Sequence, residues 1–298
     1  MPKRKVALLE APSNLGLRPP EKGAPPGCYK APWALRNAGL LKAIGARDAG
    51  VVVPPRYVAS WKRGEGDRNA EAIAAYSLQL ANRVGTLVDE GAFPLGVGGD
   101  CSILIGNMLA LRRRGRYGLV FLDGHSDFRH PGNAKAIGAA AGEDLAIVTG
   151  RGDRRLINLE KLRPYVREED AHVLGVRATD AYLDDLAQCG IAAATSGQVR
   201  ELGAPAAADT ALQTVTRATA GFWIHLDVDV IDSTEMPAAD CPEPDGLFVA
   251  LLADLLRVLL RSAKCVGMEL TIYDPDLDAD GTAAERIVDC LRSGLSRR

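Results

Sequence analysis

The chain has 298 residues, of which 47% are hydrophobic and 25% charged, and its formal net charge is −2. This length and composition are typical of one large α/β domain or two small ones. Runs of basic residues do not exceed three, so the sequence lacks the positive patch that nucleic acids or anionic membranes require. We therefore expect a small molecule as the partner.

Short β-branched apolar runs alternate with longer helical patterns along the chain. This alternation predicts a mostly parallel sheet with helices on both faces, a doubly wound three-layer α/β/α fold. The Pro/Gly-rich loops are short, so we predict a single domain over residues 1–298. The predicted strands are residues 5–9, 51–53, 93–97, 119–122, 172–176, 222–226 and 265–270. The predicted helices are residues 31–43, 67–90, 103–114, 206–217, 247–262 and 283–293.

The chain carries no targeting pattern that we recognise. Residues 1–5 are basic, but the apolar run after them ends at Leu9, which is too short for a signal peptide. No apolar stretch approaches the roughly 18 residues of a membrane span. The cysteines lie far apart, a spacing that does not indicate a disulfide framework. We expect a cytoplasmic protein with reduced thiols.

The first polar cluster follows the predicted strand at residues 119–122. Asp123, His125 and Asp127 occupy alternate positions, and alternate residues of an extended segment share one side. Ligands of such sheets bind beyond the carboxyl ends of the strands. Carboxylate oxygens with an imidazole suit manganese, magnesium, iron or zinc. The competing interpretation is a polar loop with an aspartate helix cap.

The second cluster ends the predicted strand at residues 222–226 and contains Asp227 and Asp229. Two carboxylates that face one way repel each other unless a cation lies between them, so this pair favours a metal site. His225 shares the alternation of Asp227. A lone histidine on an apolar strand is more often a hydrogen-bonded core residue, and we favour that role over metal ligation.

The third cluster is the glycine-rich turn at residues 96–102, which opens a predicted helix. Glycines allow the backbone to approach a ligand closely, but the chain lacks the lysine of a phosphate-binding Walker motif. Cys101 alone would be a small buried apolar residue in most proteins. Because Cys101 follows a predicted strand, as the other two clusters do, it is a candidate thiolate ligand.

A single acid, Glu269, interrupts the last predicted strand. One interpretation is an ion pair with an arginine across the sheet. The alternative is that Glu269, placed beside a metal site, holds a cationic guanidinium substrate.

These four segments occur in the chain order of the arginase and agmatinase (ureohydrolase) family. The signatures of that family are similar to Gly-Gly-Asp-His-Ser, Asp-Ala-His-x-Asp and Ser-x-Asp-x-Asp-x-x-Asp-Pro. Residues 23–28 and 35–40 of this chain also resemble the family's amino-terminal segment. The resemblance implies an arginase-like fold, a homo-oligomer and two manganese ions. It also implies that metal-activated water attacks the guanidino carbon.

Carried over by motif, Asp123 and Asp227 would bridge the two cations. His125 and Asp229 would complete one cation site, and Asp127 would bind the other cation, whose remaining ligand position holds Cys101. The implied ligands are Cys101, Asp123, His125, Asp127, Asp227 and Asp229. Asp127 would also orient the attacking water or accept its proton. Glu269 matches the acid that holds the guanidino group, and Asp180 matches the acid that contacts the α-amino group of an amino-acid substrate.

Three positions depart from the family pattern. Cys101 replaces a ligand histidine, so manganese affinity there could fall or selectivity could move towards zinc or iron. Ser233 replaces the proline of the third signature. Ala141 and Gly142 align where arginases have His-Gly, which removes their proposed proton shuttle.

These losses favour a substrate that is easier to hydrolyse than a guanidinium. An N-hydroxyguanidine is much less basic than a guanidine and can bind in the neutral form. The cysteine-for-histidine pattern resembles the Nω-hydroxy-L-arginine hydrolases of D-cycloserine biosynthesis, an antibiotic pathway, which release L-ornithine and hydroxyurea. Nω-hydroxy-L-arginine is therefore our leading substrate hypothesis.

Other activities remain open at this stage. Within the enzyme class they are arginase, agmatinase and guanidinobutyrase; only an α-amino-acid substrate should depend on Asp180. A catalytically silent subunit is the alternative from another class. Five of the six ligand positions match the family, which argues against it, because carboxylates that repel one another are usually lost once no metal binds.

Overall fold

The computed structural model describes residues 4–296; residues 1–3 of the basic amino-terminal segment and residues 297–298 lie outside the described residues. The strands are β1 Val6–Ala11, β2 Arg47–Val51, β3 Phe93–Gly98, β4 Gly118–Leu122, β5 Ala171–Val176, β6 Ala192–Thr195, β7 Phe222–Asp227 and β8 Cys265–Thr271. They form one sheet in the order β2-β1-β3-β8-β7-β4-β5-β6. All neighbouring strands pair in parallel, which confirms the predicted doubly wound α/β fold.

Helices cover both faces of this sheet. They are α1 Ala31–Asn37, α2 Leu40–Ala43, α3 Ala70–Asp89, α4 Ile103–Arg112, α5 Asp144–Val148, α6 Leu183–Gln188, α7 Ser196–Thr216, α8 Val249–Arg261 and α9 Thr282–Leu295. One core joins α1, α2, α7, α8 and α9 to one face of the strands, and a second core joins α3 to α6 to the other. The result is the expected three-layer arrangement.

Three local differences from the sequence-based elements have simple causes. The predicted helix at residues 31–43 is divided because Gly39 adopts φ 84°, a left-handed conformation that ends α1. β6 was not predicted, since its short Ala-rich sequence lies half-exposed at the sheet edge. α7 begins ten residues before the predicted start, where Thr195 and Gln198 form a capping box.

The two faces of the sheet sort the residues of β7. Phe222, Ile224 and Leu226 belong to the core with α7 and α8, whereas Trp223 belongs to the core with α3 and α4. His225 and Asp227 follow Trp223 in the same alternation. The polar side chains of β7 therefore lie on the α4 side of the sheet, near its carboxyl edge.

The turn after β3 depends on one glycine. A Cβ atom on Gly99 would lie 1.6 Å from the carbonyl oxygen of Ser13, so only glycine fits between the two loops. Asp100 holds the turn by accepting hydrogen bonds from the Ser13 hydroxyl (2.6 Å) and the Ser102 N–H (2.9 Å). This arrangement fixes Cys101 above the carboxyl edge of the sheet.

Candidate metal centre

Two neighbouring groups of side chains at this edge have metal-ligand chemistry. One contains Cys101, His225 and Asp227, and the other contains Asp123, His125 and Asp229. Within each group, one ligand atom per residue lies within 4.8 Å of the others. Five of the six ligands predicted from sequence therefore come together here, and His225 joins them.

The group around Asp123 is held by the backbone as well as by side chains. Asp123 Oδ1 accepts a hydrogen bond from the His125 N–H (2.6 Å), and Asp229 Oδ1 accepts one from the Gly124 N–H (3.0 Å). His125 Nδ1 lies 2.9 Å from Asp229 Oδ2, an interaction that raises the pKa of His125 to about 10. Although burial opposes it, the same contact lowers the pKa of Asp229.

The group around Asp227 is fully enclosed. Cys101 Sγ lies 3.0 Å from Asp227 Oδ2 and 3.1 Å from Thr271 Oγ1, and Asp227 Oδ1 accepts a hydrogen bond from the Asp229 N–H (2.7 Å). Burial, followed by the charge of Asp227, raises the pKa of the Cys101 thiol well above its usual value. A nearby cation would be needed to favour the thiolate.

The charges of these groups fit divalent cations. Burial and the surrounding aspartates raise the pKa values of Asp123 and Asp227 well above the usual range, so the negative charges crowd one another. Asp123 Oδ2 is buried without a hydrogen-bond partner among the described residues. Carboxylates, imidazoles and a thiol are ligands that manganese, iron or zinc accept, so the donor set fits a metal centre.

The cavity beside the centre has a volume of about 480 Å³, the size of a small-molecule site. Asp127, the sixth predicted ligand, lines it but lies outside the two groups above. Its backbone adopts φ 44°, an uncommon conformation that turns the chain after His125. Burial raises the pKa of Asp127 to about 7.

Asp180 lines the same cavity. Its carboxylate accepts hydrogen bonds from the Ser126 N–H (3.0 Å) and the Tyr182 N–H (2.8 Å). These contacts fix the half-buried side chain directly beside the segment that carries His125 and Asp127.

Glu269 does not lie where a substrate-binding acid must lie. Its side chain is fully buried under the centre, where it accepts hydrogen bonds from Trp223 Nε1 and Asn107 Nδ2 and lies 2.8 Å from His225 Nδ1. With these three contacts in the core, Glu269 is not among the residues that line the cavity. The residue after β8 that lines the cavity is Ile272, so a direct guanidino contact by Glu269 does not agree with this placement.

Sequence analysis missed two acidic residues near the centre. Asp144 begins α5, is fully buried, and has no hydrogen-bond partner at either oxygen among the described residues. Glu243 is exposed, and its Oε1 lies 3.8 Å from His125 Nε2. Asp144, at the start of an apolar helix, resembles an ordinary helix cap, and Glu243 lies in a loop without a recognisable sequence pattern. Neither residue therefore had a clear signal in the sequence.

A second acidic pair supports the loop that carries Ala139 and Ala141 into the cavity wall. Glu143 accepts hydrogen bonds from the Gly138 N–H (2.9 Å) and the Ala139 N–H (3.1 Å). Burial, together with the adjoining Glu143, raises the pKa of Asp67 to about 9. Asp67 therefore keeps its proton at neutral pH.

Asp67 is expected to make the protein less stable as the pH rises. The folded protein keeps the proton of Asp67 up to about pH 9, whereas the unfolded chain releases it near pH ~4. The free energy of unfolding thus decreases between these values. In Asp67→Asn this decrease should be smaller by at least about 1 kcal/mol between pH 6 and 9. Urea unfolding measures it, with the exposed Asp209→Asn as control; equal pH profiles in all three proteins would exclude the effect.

Comparison with known proteins identifies the class. The model of the Arginase family matches residues 5–294. An arginase of Bacillus subtilis is 24% identical over 300 residues, covering 98% of both chains. The structure of Bacillus caldovelox arginase has a TM-score of 0.88 at 24% identity and covers 99% of both chains. Entamoeba histolytica arginase, solved in complex with L-ornithine, has a TM-score of 0.84 at 20% identity and covers 100% of both.

The fold and the family match define a metal-dependent hydrolase of the ureohydrolase class. The chain belongs to the arginase family. In the part of the chain that the structure describes, none of the helices has the length and apolar character needed to cross a membrane.

Proposed function

We propose that the protein is a two-manganese amidinohydrolase that converts Nω-hydroxy-L-arginine and water into L-ornithine and hydroxyurea. The bond that breaks joins the guanidino carbon to the δ-nitrogen of the ornithine moiety. Asp123 and Asp227 would bridge the two cations, His125 and Asp229 would complete one site, and Cys101 and Asp127 would belong to the other.

Cations and side chains would divide the chemistry between them. The bound cations would lower the pKa of a shared water and supply a nucleophile near neutral pH. Asp127 lines the cavity, where it would orient the attacking water or accept its proton. Asp180 is held by two backbone N–H groups, and it would bind the substrate's α-amino group.

Two apolar positions in the cavity lining carry the choice of substrate. Ala141 and Ile272 line the cavity, whose other lining residues include the acids Asp127, Asp180, Asp240 and Glu243. Neither apolar side chain can shuttle a proton or neutralise a cationic guanidinium. A neutral N-hydroxyguanidine needs neither function from these positions, so they favour it over a guanidinium group.

Hydrolysis of L-arginine is the second candidate. The relatives that support it are named arginases, and they match the chain over almost its entire length. The L-ornithine complex of the Entamoeba histolytica arginase fits either substrate, because both would release L-ornithine.

A substrate panel with product identification tests the proposal. Manganese-loaded protein would be incubated with Nω-hydroxy-L-arginine, L-arginine, agmatine and 4-guanidinobutyrate, and the products separated by mass. We expect hydroxyurea and L-ornithine in equal amounts from the first compound, and loss of turnover after dialysis against a chelator. Turnover that persists without any divalent cation, or no turnover of any compound by protein with two bound cations, would exclude the proposed function.

Asp180→Asn is expected to raise KM for Nω-hydroxy-L-arginine about tenfold, the effect of one charge-assisted contact, while kcat changes less. Asparagine retains an oxygen that can accept the Tyr182 N–H, so the loop should keep its shape. Steady-state kinetics check this, with the exposed Asp184→Asn as control. An unchanged KM would remove Asp180 from the substrate site.

A further inference from the structure

His225 has two ring nitrogens in very different surroundings. The residue lies on β7 with no exposed surface, and its ring stacks on Phe121 at a centroid distance of 4.5 Å and an angle of 15°. Nδ1 lies 2.8 Å from Glu269 Oε1. Nε2 is buried and has no hydrogen-bond partner among the described residues. An ordinary core histidine would satisfy both nitrogens, so the second nitrogen needs an explanation.

Glu269 determines which nitrogen carries the free lone pair. With Nδ1 donating to Glu269 Oε1, the lone pair of the ring lies on Nε2. Trp223 Nε1 and Asn107 Nδ2 both donate to the other oxygen of Glu269, which fixes the carboxylate in place. Histidines that bind metals almost always donate their second N–H to a carboxylate or carbonyl in this way.

The lone pair of Nε2 is directed into an acidic space. Nε2 lies 3.8 Å from Asp123 Oδ2 and 3.9 Å from Asp144 Oδ2. Neither of those oxygens has a hydrogen-bond partner among the described residues. Three unpartnered electron-rich atoms that face one another repel, unless a cation lies between them.

The distances are those of ligands that share a cation. Two nitrogen or oxygen ligands at about 2.1 Å from one ion can be at most about 4.2 Å apart, and both Nε2 separations lie within that limit. The ligand atoms of Cys101, His225 and Asp227 also lie within 4.8 Å of one another. These three residues come from the β3 turn and β7, on the α4 side of the sheet.

We propose that His225 is a ligand of the cation on the Cys101 side of the centre, that Asp144 provides a further carboxylate to it, and that Glu269 is a positioning residue that orients the His225 ring. The proposal rests on the proposed function only because it requires a cation to bind there. It replaces the expectation that Cys101 leaves this site without an imidazole: the nitrogen ligand comes from β7 instead of the β3 turn.

Metal titration of the full chain without substrate tests the proposal. Manganese binding to chelator-treated protein would be followed by calorimetry in wild type, His225→Gln, Glu269→Gln and His172→Gln. We expect wild type to bind two ions, His225→Gln to keep one and lose affinity for the other at least about 100-fold, and Glu269→Gln to lose about 10- to 100-fold. His172→Gln is the matched control, because His172 is also a buried strand histidine but contacts Thr214, away from the centre.

A second measurement does not depend on whether the variants fold. Anomalous scattering from crystals of manganese-loaded wild type locates each ion directly, and we expect His225 Nε2 about 2.2 Å from one of them. If both ions lie more than about 3 Å from Nε2, or if a folded His225→Gln variant has unchanged affinities, the proposal is overturned. If hydrolysis and two bound ions are observed in that case, the proposed function stands while the role of His225 does not. If wild type binds no cation, both are overturned.

Discussion

Asp227→Asn is expected to abolish hydrolysis, with kcat at least about 1,000-fold lower, which is about 4 kcal/mol of transition-state stabilisation. Asp227 is the residue that links the two groups of ligands, since it contacts both Cys101 and the Asp229 backbone. Its replacement would remove a negative charge that, in the proposed centre, both cations share. Asp123→Asn should have a similar effect for the same reason.

Both variants should remain folded. Asparagine at position 227 keeps an oxygen for the Asp229 N–H, and a neutral amide avoids the buried charge repulsion that raises the pKa of Asp227. Thermal unfolding in the presence of chelator should therefore show a Tm equal to or above that of wild type.

Asp170→Asn is the control for a variant that loses stability but keeps its activity. This buried aspartate pairs with Arg116 at 2.6 Å, and its loss should lower stability by about 1 to 2 kcal/mol without changing kcat.

Full activity of Asp123→Asn or Asp227→Asn, or loss of activity only through unfolding, would contradict a centre with two bridging carboxylates.

Ala141→His is expected to change the substrate preference. Ala141 lines the cavity, and an imidazole there would provide the proton transfer that L-arginine hydrolysis needs. We expect kcat/KM for L-arginine to rise about 10- to 100-fold, within the range of general acid–base effects, while the value for Nω-hydroxy-L-arginine rises less.

Ala141→Phe separates proton transfer from bulk, because phenylalanine has a similar size but cannot carry a proton. It should lower activity on both substrates. If the histidine and phenylalanine variants behave alike, the residue at position 141 does not act through proton transfer in this protein.

The sequence predicted the parts of the site that follow from local pattern. Polar residues at alternate positions after two predicted strands indicated Asp123, His125, Asp227 and Asp229. Parallel strands place their carboxyl ends at one edge of the sheet, so these residues were expected to lie together. The Gly-rich turn placed Cys101 beside them for the same reason. These predictions needed no knowledge of strand order.

Other features depend on which strands become neighbours. β7 lies between β4 and β8, and this order sets His225 opposite both Phe121 and Glu269. An acid within an apolar strand indicated that Glu269 has a polar partner, but its burial depth follows from the packing of α4 through Asn107. Sequence alone therefore predicted a substrate contact for Glu269, whereas the fold places it beneath the centre.

The ratio of kcat/KM for Nω-hydroxy-L-arginine to that for L-arginine, measured on wild type with two manganese ions bound, tests the central claim most directly. The apolar side chains at positions 141 and 272 predict a ratio of at least about ten in favour of the N-hydroxy compound, or about 1.4 kcal/mol. A ratio of one or less would contradict this account and would make the protein an ordinary arginase.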